Sequence, residues 1–157
     1  MNFRNFKMIG YVVYGRGAFN QLAEILQPNR KGTAPMIFLV DHFFEGKPLA
    51  ARVPVEGKDK IIFVDVTKEP KTTYVDKLAA DLKEEFGTVS GVIGIGGGSA
   101  MDLAKAVALM MNNTGSSADY QGWDLVKKAG VYKVGIPTLS GTGAEVSRTT
   151  EIGRAHV

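Results

Sequence analysis

The sequence has no cysteine, one tryptophan and two histidines in 157 residues. Without cysteine there is no disulfide framework and no thiolate-bound metal. His42, at the end of a predicted strand, reads as a surface or packing residue rather than a ligand. No apolar run approaches the roughly 18 residues that a membrane-spanning helix needs. The opening MNFRNFKMIGYVVYG lacks the apolar core and the cleavage site of a secretory signal. A cytoplasmic protein without a membrane partner is therefore expected. Neither sign of charge dominates, with 19 basic against 16 acidic residues. The cations are scattered among acids, which excludes the basic stripe of a nucleic-acid-binding surface. There is no GxxxxGK[ST], so no P-loop, and no internal repeat.

What remains is ordinary globular material, 45% hydrophobic and 22% charged, in a length suited to one domain. FKMIGYVVY (6–14) predicts a strand broken by Gly15 and Gly17. Phe19, Leu22, Ile25 and Leu26 recur at helical spacing until Pro28. MIFLVD (36–41), KIIFVDV (60–66), VSGVIGIGG (89–97) and VYKVGIP (131–137) are short continuous apolar runs, the mark of buried parallel strands. A short helix disturbed by Gly46 and Pro48 is expected within 43–55. Thr72 or Thr73 is placed to cap a helix whose Val75, Leu78, Ala79, Leu82 and Phe86 share one face, closed by Gly87. A second helix is expected over 102–113, with Leu103, Val107, Met110 and Met111 inward. Strands alternating with amphipathic helices predict an α/β fold, a Rossmann-like open and mostly parallel sheet with flanking helices. Ligands of such sheets gather outside the carboxyl ends of the strands. Asp41, the segment 94–102 and the loop after Pro137 all fall there.

GIGGGSAMD (94–102) runs from a strand into a helix. Missing Cβ atoms let backbone amides approach an anion, and the helix N-terminus adds partial positive charge. Ser99 is positioned to cap that helix and Asp102 to occupy its first turn. Close helix–strand packing would require similar glycines, and the spacing leaves both readings open. PTLSGTGAEVS (137–147) sets Thr138, Ser140, Thr142 and Ser147 at another strand end, where hydroxyls donate to phosphate or carboxamide without burying a charge. A solvated Ser/Thr loop would look much the same.

Taken together, GGGSAMD (96–102) and PTLSGTGAEV (137–146) resemble the GGGSxxD and PTxxGTGxEV motifs of the iron-containing (group III) alcohol dehydrogenase family. YGRGAFNQL (14–22) is similar to its FGxGxxxxL, and the likeness spans residues 6–150. It implies a dehydroquinate-synthase-like N-terminal domain. Gly97, Gly98 and Ser99 would cradle the pyrophosphate of NAD or NADP, with Asp102 near the nicotinamide ribose or the pyrophosphate loop. Thr138, Leu139, Thr142 and Ser147 would line the rest of the groove. Asp41 would meet the adenosine ribose, where a carboxylate favours NAD over NADP. Glu69-Pro70 departs from the family's Asn-Pro. The resemblance also implies an alcohol or aldehyde substrate and a homo-oligomeric parent. TLSGTGAEVSRTT and EPKTTYVD resemble members that act on a sugar-acid hydroxyl.

In that family a divalent metal, iron or zinc, is held by one Asp and three His in a helical second domain. With two histidines this chain is expected to lack that domain and to be inactive alone. Residues 1–151 are expected to form the NAD(P)-binding domain. IGRAHV (152–157) is the translation of ATCGGAAGAGCACACGTC, a short-read sequencing adapter, so those residues are expected to be a non-native tail. A glycerol or glycerol-phosphate dehydrogenase, a dehydroquinate synthase, or a stand-alone dinucleotide-binding module without catalysis are the alternative readings.

Overall fold

The computed structural model describes residues 8–122 and 124–153. Helix α1 (Leu22–Leu26) follows a 3-10 turn and leads to strand β1 (Met36–Asp41). Helix α2 (Pro48–Ala51), strand β2 (Lys60–Val64), helix α3 (Thr72–Phe86), strand β3 (Gly91–Gly96), helix α4 (Gly98–Met110) and strand β4 (Tyr132–Pro137) come next. The strands form one parallel sheet in the order β2-β1-β3-β4. The chain thus steps outward from β1 to β2, then crosses back so that β3 pairs with the other side of β1. Such a reversal leaves a crevice between the carboxyl ends of the two central strands, the usual ligand position in an open α/β sheet. Among the described residues no helix is long and apolar enough to cross a membrane.

Side chains alternate across β1 as a strand requires. Ile37 and Leu39 join Val75, Leu82, Leu103 and Val107 on the face covered by α3 and α4. Met36, Phe38 and Val40 join Leu22, Leu26, Ile93 and Ile95 on the other face. With both faces covered, β1 and β3 are buried almost throughout, which explains why their sequences are unbroken apolar runs. β2 and β4 are half-buried instead. Their apolar runs predict buried strands, but each lies at the edge of the described sheet, with one strand neighbour rather than two.

Other expectations are corrected. Residues 8–14 form no strand, and Val12 and Tyr14 stand exposed. β-propensity needs a pleated surface to pack on, and the described sheet offers these residues none. Residues 6 and 7 of that expected strand, Trp123, and residues 154–157 of the expected tail lie outside the described residues. Pro48 begins α2 rather than disturbing it, since the first helical position needs no N–H. Lys71, not Thr72 or Thr73, is the N-cap residue of α3, and its side chain makes no capping bond. Helix α4 begins at Gly98, four residues earlier than expected, with Gly97 as its N-cap residue. Ser99 therefore lies inside the helix and does not cap it. Asp102 falls beyond the first turn, out of reach of the strongest part of the helix dipole.

Met110 and Met111 are core residues as expected. Pro70, in the segment that departs from the family pattern, is buried, and its carbonyl accepts from the Gly153 amide at 2.9 Å. Ile152 packs against the core beside α3 and α4.

Candidate nucleotide-binding site

Four glycines lie between residues 94 and 98, and the structure gives them different reasons to be glycine. A Cβ on Gly94 would lie 2.7 Å from Ala104 Cβ and 2.9 Å from Met101 Cα. Gly94 is there so that α4 can press onto β3. Gly96 has φ +157, and its Cβ would meet Ala100 Cβ at 2.7 Å and Asp41 Cβ at 3.0 Å. A Cβ on Gly98 would come within 3.0 Å of Thr142 Oγ1 and Cγ2. Gly97 has no such reason. Its φ of −77° suits any residue, and the nearest heavy atom to its absent Cβ is Leu139 Cδ1 at 4.0 Å. The space over Gly97 is open, at the end of a helix whose first amides have no intrahelical acceptor.

The same contacts bring the remote segments together. Asp41 lies against Gly96 because β1 and β3 are paired neighbours. The Thr138 amide donates to the Gly96 carbonyl at 2.9 Å, starting the hydroxyl loop beside the glycines. Leu139, 74% exposed, and Thr142 border Gly97 and Gly98 respectively. Thr142 Oγ1 accepts from the Ala144 amide at 3.3 Å. Ser147 contacts Thr149. Its hydroxyl accepts from the Thr149 amide at 3.1 Å and lies 2.8 Å from Thr149 Oγ1.

Asp102 is nearly buried. It is 9% exposed; Oδ2 accepts from the Glu151 amide at 3.1 Å, and Oδ1 lies 2.8 Å from Lys105 Nζ. The Lys105 contact is an ion pair, and Oδ1 has no hydrogen-bond partner among the described residues.

At the other end of the groove, Asp41 Oδ1 accepts from the Phe43 amide at 2.9 Å. His42 Nδ1 stands 3.4 Å from Asp41 and 3.9 Å from Asp65. The Thr67 hydroxyl and amide, followed by His42 and Lys68, hold the exposed Asp65 carboxyl below its ordinary value despite slight desolvation. Sequence reasoning missed Asp65, although it follows a parallel strand just as Asp41 ends one. Lys105 was missed as well; only its i+3 spacing from Asp102 in a helix marks it.

The site is an open groove rather than a cavity. Two shallow clefts lie away from it. One, of about 320 Å³, is at the amino ends of the strands near Lys31, Lys58 and Phe86. The other lies between α2 and β2. Among the described residues no group of three or more His, Asp or Glu can hold a metal ion.

Comparison with known proteins agrees with this geometry. The sequence pattern of the iron-containing alcohol dehydrogenases matches residues 10–155. A long-chain-alcohol dehydrogenase of Geobacillus thermodenitrificans is 36% identical over 140 residues, covering 85% of this chain and 34% of the relative. An NAD-dependent methanol dehydrogenase of Bacillus methanolicus is 33% identical over 139 residues, covering 86% and 35%. The structure of sulfoacetaldehyde reductase from Bifidobacterium kashiwanohense in complex with NAD+ superposes with a TM-score of 0.74 at 26% identity, covering 93% of this chain and 39% of that one. An NADH-dependent butanol dehydrogenase of Thermotoga maritima gives 0.71 at 26% identity, covering 90% and 36%. The chain spans about a third of the length of the curated relatives. The family pattern spans nearly the whole chain, and the chain belongs to the iron-containing alcohol dehydrogenase family.

Proposed function

We propose that these residues form the nucleotide-binding part of an NAD(P)-linked alcohol dehydrogenase acting on a small alcohol or aldehyde. The observation that carries this reading is Gly97, the glycine whose missing side chain nothing in its own chain requires. Gly97, Gly98 and Ser99 would offer amides to the pyrophosphate at the start of α4. Thr138, Leu139 and Thr142 would form the adjoining wall. Asp41, with Asp65 beside it, would accept from the adenosine ribose and repel a 2′-phosphate, favouring NAD over NADP. Bound there, the nicotinamide supplies the hydride acceptor for alcohol oxidation. The iron or zinc that the family resemblance implies finds no ligand set among the described residues. The finer reading, that the substrate carries a sugar-acid hydroxyl, rests on TLSGTGAEVSRTT and EPKTTYVD alone.

The test is calorimetric titration of the purified chain with NADH and with NADPH. Saturable 1:1 binding with NADH preferred is expected. No binding of either nucleotide would overturn the assignment.

A further inference from the structure

From sequence, His42 reads as a surface or packing residue, yet the fold stands it between two carboxylates. β1 ends in Asp41, Asp65 follows β2, and the parallel pairing of the two strands brings both acids to one end of the sheet. The Phe43 amide donates to Asp41 Oδ1, which makes Asp41 the N-cap residue of a 3-10 turn over residues 42–44. In that turn His42 Nδ1 lies 3.4 Å from Asp41 Oδ1 and 3.9 Å from Asp65 Oδ1. These contacts are too long for strong hydrogen bonds, so what the imidazole offers the two acids is charge.

The surrounding groups leave that charge as the variable one. Helix α2, which packs against the turn, carries no charged residue. Glu45 and Lys47 follow the turn in the chain, and Lys47 Nζ lies over the Phe43 ring. Lys68 and, from α3, Tyr74 interact electrostatically with Asp65. Carboxylates, ammonium groups and phenols ordinarily keep their charge state between about pH 5 and 8, whereas an imidazole changes its own within that range.

We propose that His42 makes the choice between NAD and NADP depend on pH, its proton cancelling part of the repulsion that Asp41 and Asp65 exert on a 2′-phosphate. The inference rests on the proposed nucleotide site, which itself gives His42 no part. The 2′-hydroxyl of NAD carries no charge and is nearly indifferent to that proton. For the 2′-phosphate of NADP, one unit charge about 4 Å away in water-like surroundings is worth roughly fivefold in affinity. The sign follows directly: as pH falls and His42 gains its proton, NADP gains on NAD.

The test is competitive calorimetric titration of the full chain with NAD and NADP from about pH 5.5 to about pH 8.5, for wild type, His42→Gln and His42→Lys. The oxidised pair is used because reduced nicotinamide decomposes in acid. The side chain is 44% exposed, so neither substitution opens a hole in the core. The phosphate loses its own second proton near pH 6, which tilts all three proteins alike. Beyond that common trend, the NADP-to-NAD affinity ratio of wild type is expected to rise roughly fivefold more than that of His42→Gln as pH falls. His42→Lys, whose charge is fixed, should favour NADP over wild type by the same factor at the alkaline end. By linkage NADP must favour the protonated imidazole more than NAD does. The imidazole resonance of His42, assigned by its loss in His42→Gln, reads this as a larger protonated fraction at a given pH in the NADP complex. A ratio with the same pH dependence in wild type and His42→Gln would overturn the inference and leave the nucleotide site standing. An imidazole that titrates identically in the two complexes would do the same. If neither nucleotide binds at any pH, the nucleotide assignment itself fails and takes the inference with it.

Discussion

Gly94→Ala and Gly97→Ala each add one methyl to the same nine-residue segment, and they are expected to fail in different assays. At Gly94 the new carbon would stand 2.7 Å from Ala104 Cβ, 2.9 Å from Met101 Cα and 3.0 Å from the Ala100 carbonyl. Two of those atoms are backbone, so α4 itself must move off β3. Overpacking of this kind costs about 1–3 kcal/mol, and each kcal/mol lowers Tm by roughly 2–4 °C in a domain of this size. At Gly97 the methyl meets only Leu139 Cδ1, at 4.0 Å, and the backbone is one that alanine adopts freely. Its stability should be unchanged or up to about 1 kcal/mol higher, because the unfolded chain loses freedom. The damage appears only with ligand. The methyl occupies the space through which phosphate oxygens must come within about 3 Å of the amides. Losing one charge-assisted hydrogen bond costs about 1.5–3 kcal/mol, or roughly 10- to 150-fold in Kd. Scanning calorimetry without nucleotide, paired with NADH titration, reads both effects. A Gly97→Ala chain that binds NADH as well as wild type would refute the reasoning, because open space over Gly97 would then serve nothing.

Asp59 offers a stability test at the opposite end of the sheet. It is 1% exposed, takes a bidentate contact from Arg30 at 2.8 and 3.0 Å, and accepts from the Met36 and Glu56 amides. Asp59→Ala leaves the Arg30 charge only the exposed Glu56, 3.4 Å from its Nε, and is expected to cost about 3–5 kcal/mol in urea unfolding, whereas Arg30→Met/Asp59→Leu, which strands no charge but still leaves the Met36 and Glu56 amides without their acceptor, should cost less. Burial alone would raise this carboxyl, but Arg30 and the two amides outweigh it and hold it below its usual value. Its contribution is thus complete above the unfolded value near pH 4 and is lost as pH falls through the depressed native value. Unfolding curves in the acid range should be steeper in wild type than in Asp59→Ala. For cofactor choice, Asp41→Ser removes the carboxylate that would repel a 2′-phosphate. NADPH should gain on NADH by about tenfold or more in competitive titration, and an unchanged ratio would move the adenosine ribose away from Asp41.

The centre of the fold was legible because burial on both faces leaves a mark in the residues themselves. MIFLVD and GVIGIG contain little that water would tolerate, and they became β1 and β3. The face of α3 was equally plain from Val75, Leu78, Ala79 and Leu82. The edge strands were misjudged for a reason no local run contains. How deeply KIIFV or YKVGIP is buried depends on which strands lie beside it, and strand order is a property of the whole chain. YVVY has strong β-propensity, but propensity describes fit to a surface, and among the described residues that surface is absent.

The site divides along the same line. Residue types at strand ends brought Asp41, the glycines and the hydroxyl loop into the candidate site, but the sequence could not say which glycine packing requires and which one borders open space. Gly94 and Gly97 are identical letters three positions apart; one faces Ala104 and the other faces open space, because α4 starts between them. The family motif places Asp102 in the expected ligand set without describing its surroundings. A motif records that a carboxylate sits one turn into the helix, and it is silent on what that carboxylate meets. Here it meets Lys105 and the amide of Glu151, 49 residues away. Likewise Asp41 and Gly96 touch across 55 residues of sequence only because the chain reverses direction in the sheet between β2 and β3. That reversal is what turns three separate polar strand ends into one groove. It follows that disturbing the β1–β3 pairing should weaken nucleotide binding as surely as altering any residue in the groove itself.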